Sequence, residues 1–170
     1  PERCRVKTRS RRKHKGRSES GTFTMIPHHV QDSDNWRQAS GTAIKLLCDI
    51  ARQYNGRNNG DLCASLSVLK PKGWTSPETV TWAARELRHF GFITLTRQGG
   101  LYIGASLYAL TWHPIHECGG KLDCAATAVA SGEWKEPKPP FIRPAKNRKP
   151  YTPSVADQYA NRIDSPEKTP

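Results

Sequence analysis

The segment Ser76-Pro77-Glu78, followed by apolar residues at helical spacing up to Phe90 and then by Gly91, constrains this chain more than any other stretch. A serine just before a helix accepts a backbone N–H of the first turn. A proline at the first helical position gives up only an N–H that has no partner there, and a glutamate suits the positive end of the helix dipole. Val80, Ala83, Ala84, Leu87 and Phe90 then form one apolar stripe, and Gly91 stands where a left-handed residue closes a helix. The pattern predicts a helix with one buried face and one free face.

Upstream, Trp36, Ala39, Ala43, Leu46, Leu47, Ile50 and Tyr54 fall in steps of three and four and predict one continuous helix over residues 34–54, the longest in the chain. Asn55-Gly56 and Asn58-Asn59-Gly60 read as a loop that tolerates positive φ. Asp61 is read as the cap of a shorter helix through Leu69 with Leu62, Leu66 and Leu69 inward, stopped by Pro71 and Gly73. Downstream, residues 92–97 are rich in β-branched and aromatic side chains, Gly99-Gly100 reads as a turn, and residues 101–112 form a second extended stretch, so a β-hairpin is expected. A short β-favouring stretch, residues 22–27, precedes the first helix. After Pro114 the pattern fades, residues 125–130 read as a weak helical or loop piece, and from Lys135 prolines recur too often for a packed core. The expected divisions are a basic arm at 1–21, disordered when free, a folded domain at 22–116, a weakly structured extension at 117–134 and a proline-rich disordered tail at 135–170.

Helix, helix, short turn, helix, hairpin is the order of a winged helix-turn-helix, a mostly α, α+β fold in which the third helix protrudes into a major groove and the hairpin forms a wing. At 100° per residue from Val80, the positions opposite the apolar stripe are Glu78, Trp82, Arg85 and His89. On this reading Arg85 donates a bidentate pair to guanine, with His89 beside it on the same face. Thr75 and Thr79 touch a phosphate or a thymine methyl, and Ser76 with the helix N-terminus holds a backbone phosphate. Arg97 and Gln98 sit at the wing tip, and Lys70 and Lys72 in the inter-helix turn grip the backbone. Arg57, Asn58 and Asn59 are also placed to touch phosphate, although turn geometry alone accounts for the Asn-Asn-Gly run. Trp82 is too large an indole to stand uncovered; packing against the wing or first strand, DNA, or a protein partner would each cover it.

The net charge of +12 is unevenly placed. Residues 1–17 carry nine Lys or Arg, among them Arg9, Arg11, Arg12, Lys13, Lys15 and Arg17, against Glu2, a net of +8. Residues 135–149 carry six against Glu136, a net of +5, while residues 18–134 balance ten of each sign. Such flanks attract phosphates through counterion release without reading sequence, so any sequence choice falls to the neutral middle.

Of the five cysteines, Cys4, Cys48, Cys63, Cys118 and Cys124, an odd and scattered set, none is expected in a disulfide framework, and Cys48 and Cys63 read as small core residues. His113, His116, Cys118 and Cys124 are four potential zinc ligands, but their His-x2-His and Cys-x5-Cys spacings match no common structural zinc site, and no metal or other cofactor is expected. No phosphate-cradling glycine loop, His-Glu-x-x-His helix, nucleophile elbow or carboxylate cluster is present, which argues against an enzyme. The lack of a long apolar run or a secretory opening points to a cytoplasmic protein at the bacterial nucleoid and to no membrane partner.

Several segments, Phe23-Thr-Met-Ile-Pro27, Ala43-Ile-Lys-Leu-Leu47, the Asn58-Asn-Gly-Asp-Leu62 loop, Ala83 to Ile93, Thr96-Arg-Gln-Gly-Gly100 and Leu107 to Trp112, resemble the winged-helix domains of phage and plasmid replication organisers and related helix-turn-helix proteins of bacterial mobile elements. The resemblance covers residues 22–115 and implies duplex DNA, an origin or operator, as partner, with a second protein recruited through a flexible tail. A transcriptional regulator or a replication accessory would fit; the chain has no ATPase or nuclease segment to act as a full initiator. Two other readings use the same residues: an adaptor or inhibitor with Trp82 as its protein-binding anchor, and an RNA-binding protein whose basic arm grips RNA.

Overall fold

Serines set the starts of the three longest helices. In a computed structural model, which describes residues 22–144, Ser33 accepts the Trp36 N–H at 3.2 Å, Ser40 that of Ala43 at 3.2 Å, and Ser76 that of Thr79 at 3.3 Å. They open α2 (Asp34–Gln38), α3 (Gly41–Ala51) and α5 (Pro77–His89), while α1 (His28–Gln31) and α4 (Leu66–Leu69) are single turns. Three strands, β1 (Leu62–Cys63), β2 (Ile93–Arg97) and β3 (Leu107–Leu110), form one antiparallel sheet in the order β1-β3-β2. The fold is therefore mixed α and β, with a small antiparallel sheet. Among the described residues no helix is long and apolar enough to cross a membrane.

The predicted helix over residues 34–54 is two helices. Ala39 is extended, and the backbone N–H and hydroxyl of Ser40 both donate to the Glu86 carboxylate, at 2.6 and 2.8 Å. These charge-assisted bonds hold a break that apolar periodicity runs straight through. The helix predicted from Asp61 is likewise corrected: Leu62 and Cys63 pair with Tyr108 and Leu107 as strand β1, and the helix begins only after Ser65. Both readings put Leu62 and Leu69 inside, because a buried apolar residue looks the same in either conformation; residues 22–27 are not a strand.

The core gathers Leu46, Leu47 and Ile50 of α3, Val80, Ala83, Ala84 and Leu87 of α5, Phe90 and Phe92 beyond it, and Leu62, Ile93 and Leu110 of the sheet. Each of the larger side chains contributes about 1.5–3 kcal/mol by leaving water. The predicted stripe of α5 is thus buried as expected, and Gly91 closes the helix with φ +71°. A Cβ on Gly91 would lie 2.7 Å from the Glu133 backbone, so both conformation and space require glycine there.

Packing continues well beyond residue 116, which corrects the expected domain end. Trp134, the last residue of the stretch expected to be a weakly structured extension, is 7% exposed and belongs to the core. Asn35 of α2, 1% exposed, fastens this last stretch: its amide donates to the carbonyls of Phe90, Trp134 and Glu136 at 3.2, 2.9 and 2.7 Å, and its oxygen accepts the Lys138 N–H at 2.9 Å. The Asn58-Asn59 pair also turns inward, Asn58 half-buried with its amide on the Gln53 carbonyl at 2.9 Å. Asn59 is fully buried, donating to the carbonyls of Leu110, His113 and Pro114 and accepting the Leu110 N–H at 2.7 Å, so it ties the loop to the end of β3 and offers nothing to a phosphate. Replacing Asn35 by alanine leaves those buried carbonyls without donors and should lower stability by about 3 kcal/mol. Urea unfolding would show the loss, and amide exchange should quicken at Trp134, Glu136 and Lys138.

Candidate nucleic-acid interface

Helix α5 presents three sides. The first is the buried stripe. The second, Glu78, Trp82 and His89, is covered by the chain's own C-terminal segment: Phe141 lies 6.5 Å from the Trp82 ring and 5.5 Å from the His89 ring, His89 Nε2 is 2.7 Å from the Pro139 carbonyl oxygen, and Arg143 pairs with Glu78 at 2.9 Å. The third side remains open. Pro77, Thr81, Arg85 and Arg88 run along it and form one wall of a groove of about 440 Å³, faced across by Leu95, Gln98, Ala105, Ser106 and Tyr108 of the hairpin. Arg85 and Arg88 also border a second hollow beside Ile93, Thr94 and Glu133, so the two guanidinium groups stand on a ridge between hollows.

This arrangement revises the expected face residue by residue. Arg85 is exposed, as expected, and its neighbour Glu86 is engaged by Ser40, leaving the guanidinium to lie over the Trp82 ring at 4.7 Å. Arg143 lies over the same ring at 5.0 Å, so one indole orients two cations. Trp82 therefore packs neither on the wing nor on the first strand but between the helix and the C-terminal segment. His89 is occupied by Pro139 and Phe141. Thr81 and Arg88 were missed, although their spacing from Pro77 and Arg85 along the helix could have found them.

At the head of α5 Thr75 is exposed, Ser76 spends its hydroxyl on the cap, and Thr79 is half-buried. Lys70 is exposed in the inter-helix turn, but Lys72 is not free to grip a backbone: its ammonium donates to the Asp49 carbonyl at 3.0 Å and lies 3.7 Å from the Asp49 carboxylate, which also accepts the Trp74 indole N–H at 2.7 Å. Arg97 is not at the hairpin tip. It is half-buried at its root and donates to the Ala105 carbonyl at 3.1 Å, while Gln98 is exposed on the groove wall. The reversal of the hairpin falls beyond Gly99, where Gly100 and Gly104 pair and Leu101, Tyr102 and Ile103 protrude. Arg9, Arg11, Arg12, Lys13, Lys15 and Arg17 lie outside the described residues.

Among the described residues no group of three His, Cys, Asp or Glu side chains gathers as a metal-binding set. Three of the four suspected ligands have other partners, and Cys124 is exposed: His113 stacks on Tyr54 at 4.4 Å, His116 Nδ1 accepts the Asn59 N–H at 3.2 Å, and the Cys118 thiol points to the Asn59 carbonyl at 3.8 Å. Burial, and secondarily the charge of His116, hold His113 below the ordinary imidazole pKa. Cys48, expected inside, lies on the exposed side of α3, whereas Cys63 is half-buried and accepts the Ser65 N–H at 3.3 Å.

No protein-family model, curated protein or solved structure matches this chain.

Because burial holds the His113 pKa below that of the unfolded chain, its contribution to stability is complete above about pH 6.5 and is lost as the pH falls through its depressed folded value. His113→Phe keeps a ring on Tyr54 and removes the titration. Its melting temperature should therefore fall less than that of the parent on acidification below about pH 6.5; equal slopes would contradict this.

Proposed function

We propose that this chain is a sequence-selective duplex DNA-binding protein built on a winged helix-turn-helix domain, with α5 as the helix that enters the major groove. The order α3, β1, α4, α5, β2, β3 and the antiparallel sheet β1-β3-β2 support the fold assignment. The left-handed Gly73, with φ +86°, ends the turn between α4 and α5 and supports the sharp angle such a pair needs. The single observation that carries the function is the open side of α5. Thr81, Arg85 and Arg88 stand clear of the core on a helix whose other two sides are already occupied, beside a hairpin that flanks them.

On this reading Arg85 and Arg88 reach base edges, where a guanidinium matches the paired acceptors of guanine, and Thr81 reaches a base or a thymine methyl. Thr75 and Lys70 touch phosphate. The basic run at residues 1–17 supplies affinity without choice, and Arg143 of the C-terminal segment adds a further cation beside α5. The resemblance noted in the sequence adds the role of a regulator or a replication accessory of a bacterial mobile element.

Selection of duplexes from a random pool at fixed, near-physiological salt should enrich a preferred site. Arg85→Ala and Arg88→Ala should each weaken binding to that site by about 5- to 150-fold, the equivalent of 1–3 kcal/mol, with little change on unrelated duplexes. Equal affinity for every duplex, or tighter binding to structured RNA in competition, would overturn the reading.

Deleting residues 1–17 should act differently. Affinity should drop for all duplexes alike, and the dependence of binding on salt should flatten. An unchanged salt slope measured by titration would remove the arm from the interface.

A further inference from the structure

The tip of the hairpin has a chemistry that phosphate-gripping wings lack. From Gln98 to Ser106 the sequence Gln-Gly-Gly-Leu-Tyr-Ile-Gly-Ala-Ser contains no charged residue. Leu101, Tyr102 and Ile103 are 81%, 98% and 62% exposed, three successive large apolar side chains held out in water. They are not held there by a loose loop. Gly100 N–H donates to the Gly104 carbonyl at 3.0 Å, and the Gly104 and Ile103 N–H groups both donate back to the Gly100 carbonyl at 3.2 Å, closing the turn beneath them. Tyr102 sits at φ +67°, a conformation costly for a bulky side chain, although its side chain gains almost no burial in return.

We propose that Leu101, Tyr102 and Ile103 form an apolar wedge that inserts at a base step in the minor groove of the duplex bound by α5. The inference rests on the DNA-binding reading above and adds to it a bent product. Three observations select this occupant. The groove walled by Arg85 and Arg88 on one side and by Gln98, Ala105 and Ser106 on the other brings α5 and the hairpin to one ligand, and the tip begins where that wall ends. Arg97 lies at the root of the tip, its guanidinium 3.6 Å from where a Cβ on Gly104 would stand, so a cation backs the apolar cap as the negative potential of a minor groove favours. Finally, three side chains are too little surface for a stable protein interface, which needs about 800 Å² on each partner, whereas wedges of this size suffice to part stacked bases.

Close approach of the two arms is what gives the wedge its shape. A Cβ on Gly99 would meet the Ser106 nitrogen at 2.3 Å and the Gly104 oxygen at 2.7 Å, so the hairpin is narrow just below the tip. A narrow stalk ending in apolar side chains fits a groove about 6 Å wide better than it fits a flat surface.

The test uses the full chain and a duplex chosen by selection, with dyes on its ends and 2-aminopurine placed in turn at each step. The parent should shorten the end-to-end distance by a bend of roughly 20–90° and raise 2-aminopurine fluorescence at one step. The variant carrying Leu101→Ser, Tyr102→Ser and Ile103→Ser should keep its melting temperature, bind roughly ten-fold more weakly, and lose both the bend and the fluorescence rise. A straight duplex with the parent, or an equal bend with the variant, would overturn the wedge while leaving DNA binding by α5 intact. A parent dimer that the variant converts to monomer would assign the tip to a second copy of the chain. Failure to bind any duplex would overturn both readings together.

Discussion

Everything in this fold meets at the three residues that join α5 to β2. The carbonyls of Phe90, Gly91 and Phe92 all have partners from elsewhere in the chain: Asn35 reaches Phe90 at 3.2 Å, the Thr111 hydroxyl reaches Gly91 at 2.6 Å, and the Thr111 N–H reaches Phe92 at 3.2 Å. Phe92 N–H donates back to the Leu87 carbonyl at 2.9 Å, and Glu133 presses against Gly91 where any side chain would stand. A backbone turn with polar groups this deep is tolerable only when each has a partner. Meeting that requirement fixes α2, the sheet and the C-terminal segment relative to α5, and so decides which side of α5 is left open.

Much of this was legible in the sequence. The bounds of α5, its buried stripe and the left-handed Gly91 follow from local rules that tertiary structure did not override, because serine, proline and glycine act through the backbone itself. The hairpin strands were legible for the same reason, although the turn was placed too early. Gly99 and Gly100 mark a close approach of the two arms, and the chain turns only afterwards, at residues whose apolar character disguises a turn.

What stayed hidden depends on partners far away in the chain. The break at Ser40 is held by Glu86, the strand at Leu62 exists because Tyr108 lies beside it, and Asn59 is inside because the end of β3 needs its amide. The same holds for the candidate interface. Helical geometry correctly put Trp82, Arg85 and His89 away from the core, but could not show that Pro139 and Phe141 return to cover two of them. Prolines that argue against a core suit a strap, which needs few internal hydrogen bonds and lies extended along a helix.

The strap also sets an order of events during synthesis. Asn35 emerges from the ribosome 99 residues before Trp134 and 103 before Lys138, so these two partners are made long after Phe90, another of its partners. Until residues 133–143 are released, Trp82 and His89 have no C-terminal segment over them and Asn35 has only the Phe90 carbonyl to bind, so the nascent chain reaches its final packing when that segment folds back. A ribosome stalled before that point would carry a domain in which α5 has two open sides in place of one.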